Sequence, residues 1–190
     1  MLKDLIRKCR SVRRFHGDKE ITRDALMELV DIARLSPSAA NLQPLKFIIS
    51  ADPERNEMIF KHLRWAGYLK DWQGPSQEER PVGYIIILGD KEISENVKWD
   101  HSIAAMSIVL GATEKGFGAC IFASVDKEAL REDLNIPERF DVLLAIAFGY
   151  SKEEVVLESV GKDGDIKYYR DSDGVHHVPK RTLEDIILEL

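Results

Sequence analysis

The sequence predicts one α/β layered domain in which helices cover a single β-sheet. Three observations predict it: helical and strand-like apolar spacings alternate along the chain, residues 84–88 and 142–148 are continuously apolar as in buried strands, and a length of 190 residues suits one domain. This pattern leaves the order and direction of the strands open.

The first third of the chain predicts two helices ahead of the first strand. Residues 3–9 have helical apolar spacing, and Thr22 is placed to cap a second helix whose apolar stripe includes Leu26 and Leu29. This helix should end near Leu35, because the backbone of a residue that precedes a proline avoids helical angles.

Loops and strands alternate in the next stretch. A polar loop at 36–44 leads into a predicted strand at 46–50, and a helix begins at Pro53 and runs to about residue 65. The segment 66–81 is predicted to be a long loop rich in aromatic side chains. These aromatic rings can either cover a substrate pocket or simply pack on the protein surface.

The second half predicts three strands and two helices. Strands are expected at 82–88, 119–123 and 142–149, and Asp126 is placed to cap a helix between the last two. The longest helix, 96–115, is apolar almost all round, so that a second surface should cover it, either the core of the same chain or a dimer partner.

The chain after residue 151 is polar and lacks a core of its own. We therefore expect the tail, residues 151–190, to belong to the same domain and to pack on another surface, such as a second subunit. A short amphipathic helix is predicted from Thr182 onward.

Composition excludes several classes of function. A net charge of −6 argues against a nucleic-acid partner, the apolar stretches are too short to cross a membrane, and two cysteines form no disulfide framework. A cytoplasmic protein is expected. Residues 1–14 nevertheless hold six basic side chains and one acidic side chain, a local excess that suits a small anion or simply a solvated basic face.

The usual catalytic motifs are missing from the sequence. It has no GxGxxG, GxxxxGK[ST], GxSxG or HExxH, and its five histidines lack the spacing of a zinc site, with His176 and His177 interpreted as ordinary surface residues. Three polar segments remain: 10–15, the 36–44 loop, and Lys180-Arg181. Their guanidinium, hydroxyl and amide groups suit an organic cofactor that carries a phosphate and polar ring edges.

These segments together resemble the nitroreductase family of flavoproteins. The resemblance covers nearly the whole chain, and its elements are RSVRRF (10–15), ARLSPSAANLQPLKFI (33–48), GATEKGFGACIFA (111–123), LLAIAFGYSKEE (143–154) and VPKRTLEDII (178–187). It implies an α+β sandwich with a central, mostly antiparallel sheet flanked by helices, in an intertwined homodimer that binds FMN at the subunit interface.

The resemblance also implies the site residues. Arg10, Ser11 and Arg13 would hold the FMN phosphate and pyrimidine edge, and Lys180 and Arg181 would complete the phosphate clamp. The ring and ribityl chain would be lined by residues of the partner subunit, namely Pro37, Ser38, Ala39 and Asn41. Phe122 and Ala123 would present backbone near the reactive edge of the flavin. No metal is expected.

One departure from the family pattern concerns the phosphate. Many relatives have arginine where this chain has Cys9, so that one contact is either missing or supplied by Arg14. The implied activity is a ping-pong transfer of electrons from NADH or NADPH to a small electron-poor acceptor such as a nitroaromatic, quinone or enone. Arg13 would stabilise the reduced ring electrostatically. The alternative is a non-catalytic FMN carrier or sensor, or an electron-transfer subunit.

Overall fold

The computed structural model describes residues 1–189. Within that range the chain forms five α-helices: α1 Leu2–Lys8, α2 Arg23–Arg34, α3 Pro53–Lys61, α4 Asp100–Glu114 and α5 Lys127–Asp133. The same range contains seven β-strands: β1 Leu45–Ser50, β2 Gly83–Asp90, β3 Gly118–Phe122, β4 Phe140–Gly149, β5 Val155–Ser159, β6 Tyr169–Arg170 and β7 His176–Lys180. No helix in this part of the chain has the length and apolar character that a membrane crossing requires.

The central sheet has four strands in the order β1-β2-β4-β3, and every neighbouring pair is antiparallel. This arrangement confirms the α+β class with a mostly antiparallel sheet that the resemblance implied.

Strand β2 explains why residues 84–88 read as a continuous apolar run. All eight of its residues are buried, because both faces of the sheet are covered. Ile85 and Ile87 belong to the cluster that packs against α2 and α4, whereas Tyr84, Ile86 and Leu88 belong to the cluster with α3 and α5 on the opposite face.

The predicted helix starts at Thr22 and Asp126 are confirmed. The Thr22 hydroxyl accepts a hydrogen bond from the backbone N–H of Ala25 at 3.2 Å, and the Asp126 carboxylate accepts one from Ala129 at 3.2 Å. Each bond satisfies a donor that the first turn of a helix leaves free.

Two predicted helices are shorter than expected. Helix α3 ends at Lys61 rather than near residue 65, because Leu63 forms a β-bridge with Val125 and Arg64 donates its N–H to the carbonyl of Ser124. Helix α4 begins at Asp100 rather than at residue 96, because Lys98 has a left-handed backbone with φ 49°.

The tail corrects two predictions. Its strands form a second sheet in the order β5-β7-β6, so that the expectation of a single sheet is wrong. Residues 182–189 form turns and irregular chain rather than the predicted amphipathic helix. Leu183, Ile186, Ile187 and Leu188 are all exposed, and a short helix without a surface for its apolar face is marginal in water.

The long helix α4 buries one side and exposes the other. Ala104, Ala105 and Ile108 lie in the core, whereas Ile103 and Met106 are 37% and 38% exposed. The core therefore covers part of this apolar helix, and the dimer interface expected on its other side stays a prediction.

Candidate functional site

The segment 10–15 is anchored to the edge of the central sheet by backbone contacts and by two buried side chains. Ser11 forms a parallel bridge with Ala119, and the N–H of Val12 donates to the Ala119 carbonyl at 2.9 Å. Val12 and Phe15 are buried, and Phe15 lies so close to Gly149 that a Cβ there would be 2.7 Å from its ring. This anchoring fixes the backbone from which the polar side chains of the segment project.

The first candidate site is a cavity of about 350 Å³ between the beginning and the end of the chain. Its polar lining includes Arg10, Ser11, Arg13 and Lys180, and thus unites two of the three polar segments identified in the sequence. The remaining lining residues are Cys9, Met106, Val109, Ala119, Ile121, Tyr168, His176 and Val178.

The charge of this cavity suits an anion. Three of its lining side chains are cationic, and no carboxylate of residues 1–189 lines it. Arg10 donates through Nη2 to the Ile6 carbonyl at 2.7 Å, while its buried Nε has no partner among the described residues. Guanidinium and ammonium donors without a carboxylate are the set that a phosphate requires.

The apolar lining of the cavity, which we call its floor, comes from α4, β3 and β7. Val109, Ala119, Ile121 and Val178 contribute it, and the volume lies within the range of small-molecule sites. Apolar side chains beside cationic donors fit a ligand that joins an apolar ring system to a phosphate. The residues present therefore fit FMN, the cofactor implied by the resemblance.

Tail residues hold Arg13 within this cavity. Its Nη1 lies 3.2 Å from Nε2 of His176, and its Cζ lies 4.7 Å from the centre of the Tyr168 ring. The backbone N–H of Arg13 donates to the buried carboxylate of Glu153, which also accepts from Arg170 at 2.8 Å. The guanidinium of Arg13 is thus oriented by an imidazole and an aromatic ring.

His176 is buried, which corrects its interpretation as a surface residue. It is 1% exposed, and burial together with the charge of Arg13 lowers its pKa to about 4. His177 points to the other side of β7, where hydrogen bonds to Asp171 and Glu158 raise its pKa. Neighbouring histidines on one strand therefore have opposite environments, as the alternation of a strand requires.

The side chain of Arg14 pairs with a carboxylate outside the cavity. It donates to both carboxylate oxygens of Glu79, at 2.8 and 2.7 Å, and does not line the cavity. This pairing argues against Arg14 as the replacement for the arginine that many relatives have at position 9. Cys9 itself lines the cavity, and its Sγ lies 3.7 Å from the Val109 carbonyl.

The 36–44 loop lines a second cavity, of about 190 Å³, which includes Pro37 and Ser38. Asp100, at the start of α4, is buried there and organises the loop. Its carboxylate accepts the Ser38 hydroxyl at 2.5 Å and the Ala39 N–H at 2.9 Å, and the Ser38 hydroxyl accepts the N–H of Gln43 at 2.9 Å. Asp100 was not among the site residues predicted from the sequence.

The backbone of this loop is strained. Ala40, Asn41 and Gln43 have φ values of 50°, 55° and 53°, in the left-handed region that non-glycine residues rarely adopt. Such conformations persist where surrounding contacts enforce them, and they concentrate at functional sites. Here the bonds from Ser38 and Ala39 to Asp100, and from the N–H of Gln43 to Ser38, hold the two ends of the strained segment.

The other site residues predicted from the sequence lie apart from the first cavity. Asn41, Ala123 and Arg181 are exposed, and Phe122 is buried with its ring 4.7 Å from that of Trp65. Within one chain the structure therefore brings together Arg10, Ser11, Arg13 and Lys180, whereas Pro37 and Ser38 line the second cavity.

The aromatic residues in and beside the 66–81 loop pack mainly on their own chain. Trp72 lies under the Arg170 guanidinium at 4.3 Å and edge-on to Trp65, and Tyr68 lies 4.9 Å from Tyr168. These contacts favour the packing interpretation for both tryptophans. Tyr68 is 48% exposed and adjoins Tyr168, which lines the first cavity.

Comparison with known proteins gives a consistent result. The model of the nitroreductase family matches residues 6–150. MhqN of Bacillus subtilis, provisionally named an NAD(P)H nitroreductase, is 25% identical over 182 residues, with 79% of this chain and 88% of MhqN covered. An iodotyrosine deiodinase of Thermotoga neapolitana is 27% identical over 184 residues, covering 83% of this chain and 96% of the deiodinase.

A solved structure agrees with these relatives. An FMN-dependent nitroreductase of Clostridium difficile superposes with a TM-score of 0.63 and 29% identity, over 79% of this chain and 87% of that one.

Proposed function

The chain belongs to the nitroreductase family, and from that premise we propose that it is an FMN-dependent oxidoreductase that passes electrons from NADH or NADPH to a small electron-poor acceptor. The observation that carries the proposal is the cavity in which Arg10, Arg13 and Lys180 surround an apolar floor without a carboxylate. The FMN-dependent relative of 29% identity supports the choice of cofactor.

Bound FMN would supply the redox chemistry, in the two separate half-reactions of a ping-pong order. The protein binds and orients. Arg10, Ser11 and Lys180 would hold the phosphate, and Arg13 would provide a positive charge for the pyrimidine edge, which would stabilise the negative charge gained on reduction. Nitroaromatics, quinones and enones are the acceptor classes that we propose.

We further propose a homodimer in which the 36–44 loop completes the partner's site. In a single chain this loop lines a different cavity from the one lined by Arg10, Arg13 and Lys180. One subunit therefore does not bring all the predicted residues together. Ile103 and Met106 on α4, and Leu183 and Leu188 in the tail, expose apolar surface that a partner would cover. The 151–190 tail is the segment proposed to pack on that partner.

The purified protein tests the function directly. FMN should be released on denaturation, anaerobic NADH or NADPH should bleach its absorbance, and a quinone or nitroaromatic should restore it. Parallel lines in double-reciprocal plots would support the ping-pong order. Bound FMN that neither nucleotide reduces would favour the alternative of a carrier, sensor or electron-transfer subunit. A monomer by sedimentation at working concentrations would contradict the proposed dimer.

Replacement of Arg13 tests its assigned role. Arg13→Ala should weaken FMN binding by roughly 10- to 100-fold, since a hydrogen bond to a charged group contributes about 1.5–3 kcal/mol. Arg14→Met is the matched control, because Arg14 pairs with Glu79 and does not line the cavity. Equal FMN affinity and equal flavin reduction rates in Arg13→Ala and the wild type would refute the assignment.

A further inference from the structure

The guanidinium of Arg13 is held by a neutral acceptor. Nε2 of His176 lies 3.2 Å from its Nη1, and the ring of Tyr168 supports it from one face. Both partners come from the tail, His176 standing 163 residues further along the chain. No salt bridge connects the Arg13 side chain to any carboxylate in the described residues.

The chemistry of arginine fixes the state of His176. Guanidinium donates hydrogen bonds and accepts none, so that Nε2 of His176 must be the acceptor and the ring proton must sit on Nδ1. Protonation of Nε2 would remove the acceptor and place two cations in contact. The low pKa of His176, which burial and Arg13 cause, keeps the ring neutral at neutral pH.

The carboxylate that contacts the Arg13 backbone is occupied by other donors. Glu153 has a fully buried side chain that accepts the backbone N–H groups of Arg13 and Arg14 and the guanidinium of Arg170. Arg170, whose charge also acts on His176, is therefore paired, and His177 faces Asp171 and Glu158 on the opposite side of β7. The positive charge of Arg13 therefore remains directed to the cavity rather than paired within the protein.

We propose that His176 is a positioning residue that orients Arg13 toward the cofactor while leaving its positive charge unneutralised. A carboxylate at this position would also orient the guanidinium, but it would cancel the charge that acts on the cofactor. The inference rests on the proposed function.

The midpoint potential of bound FMN provides the test. His176→Met removes the acceptor at similar volume, so that Arg13 loses its orientation. The potential should then fall by about 30 mV for each tenfold decrease in the ratio of the protein's affinity for reduced FMN to its affinity for oxidised FMN. His176→Gln offers its amide oxygen to Arg13 and should restore most of the wild-type value. His177→Met, on the opposite face of the same strand, is the matched control and should leave the potential unchanged.

A double-mutant cycle separates positioning from a general structural effect. In an Arg13→Met background, His176→Met should no longer shift the potential, because the charge that it orients is gone. Equal shifts in both backgrounds, or a wild-type potential in His176→Met, would overturn the proposal. Thermal unfolding of each variant identifies any loss of fold separately.

Nitrogen NMR distinguishes failure of this inference from failure of the proposed function. In wild-type protein, with or without FMN, Nε2 of His176 should resonate as an unprotonated acceptor and Nδ1 as a protonated nitrogen at neutral pH. Arg13→Met should remove this tautomer preference. A protein that binds no FMN but shows the tautomer would refute the function alone, whereas the opposite tautomer or a charged ring would refute the His176 assignment.

Discussion

The ion pair behind the cationic segment makes a quantitative prediction for Glu79→Gln. Glu79 accepts two hydrogen bonds from Arg14, at 2.8 and 2.7 Å, and lies 3.2 Å from the Lys152 ammonium, with its side chain 12% exposed. The hydrogen bonds from Arg14 outweigh burial and lower the pKa of Glu79 from 4.5 to about 2.

This pKa difference sets the size and pH range of the effect. At 1.36 kcal/mol per pKa unit it corresponds to about 3 kcal/mol, and solvent screening around the half-buried Arg14 reduces it to about 2 kcal/mol. A carboxyl whose folded pKa is depressed stabilises the fold fully above its unfolded pKa, and this contribution is lost as the pH falls from 4.5 toward 2. About 40% of it should be gone at pH 3.5.

Urea unfolding between pH 7 and 3.5, at fixed protein and FMN concentrations, measures the effect. The wild type should exceed Glu79→Gln by about 2 kcal/mol at pH 7, and the difference should shrink on acidification. Glu57→Gln, which breaks a more exposed pair with Arg80, should cost less than about 1 kcal/mol. A difference between wild type and Glu79→Gln that stays constant down to pH 3.5 would refute the reasoning.

Two further substitutions test the contacts that hold the 10–15 segment and the 36–44 loop in place, by their effects on urea and thermal unfolding. Gly149→Ala should cost about 1–3 kcal/mol, because its Cβ would lie 2.7 Å from Phe15, whereas Gly67→Ala meets nothing within 4 Å and should stay within about 0.5 kcal/mol of wild type. Asp100→Ala should cost about 2 kcal/mol and weaken FMN binding, because it frees the Ser38 hydroxyl and an adjoining N–H. Equal stability of Gly149→Ala and Gly67→Ala, or wild-type values for Asp100→Ala, would contradict these assignments.

The parts of the fold that the sequence predicts are those encoded locally. Thr22 and Asp126 cap helices through bonds that span three residues, and the apolar run of β2 reports burial on both faces regardless of topology. The antiparallel direction of the strands depends on contacts between distant residues, so it came from the family resemblance rather than from periodicity, and the strand order β1-β2-β4-β3 was not predicted.

The tail shows why the remaining elements escaped prediction. Strand β7 contains two histidines and Pro179, a composition that carries little strand signal, and its parallel pairing with β5 has no local signature. Conversely, the helical spacing of Leu183, Ile186 and Ile187 predicts an amphipathic helix, but the single chain offers no surface to bury that face.

Only part of the candidate site was predicted, because the rest depends on contacts between residues that are distant in sequence. Arg10, Ser11 and Arg13 lie close together in sequence, and Lys180 belongs to a second basic segment that the sequence also identified; the family resemblance assigned both segments to one site. Asp100 and His176 act on residues 62 and 163 positions away, respectively. A buried carboxylate or imidazole looks like any other polar residue until the fold places a partner beside it.

The union of Arg13 with Lys180 in one cavity has a consequence for biosynthesis. The walls come from residues 9–13 and from β7, so that no ligand of this cavity can be captured until residue 180 has left the ribosome. Ligand binding therefore selectively stabilises chains that extend through β7, and a protein truncated within β7 would lose that protection and be open to proteolysis.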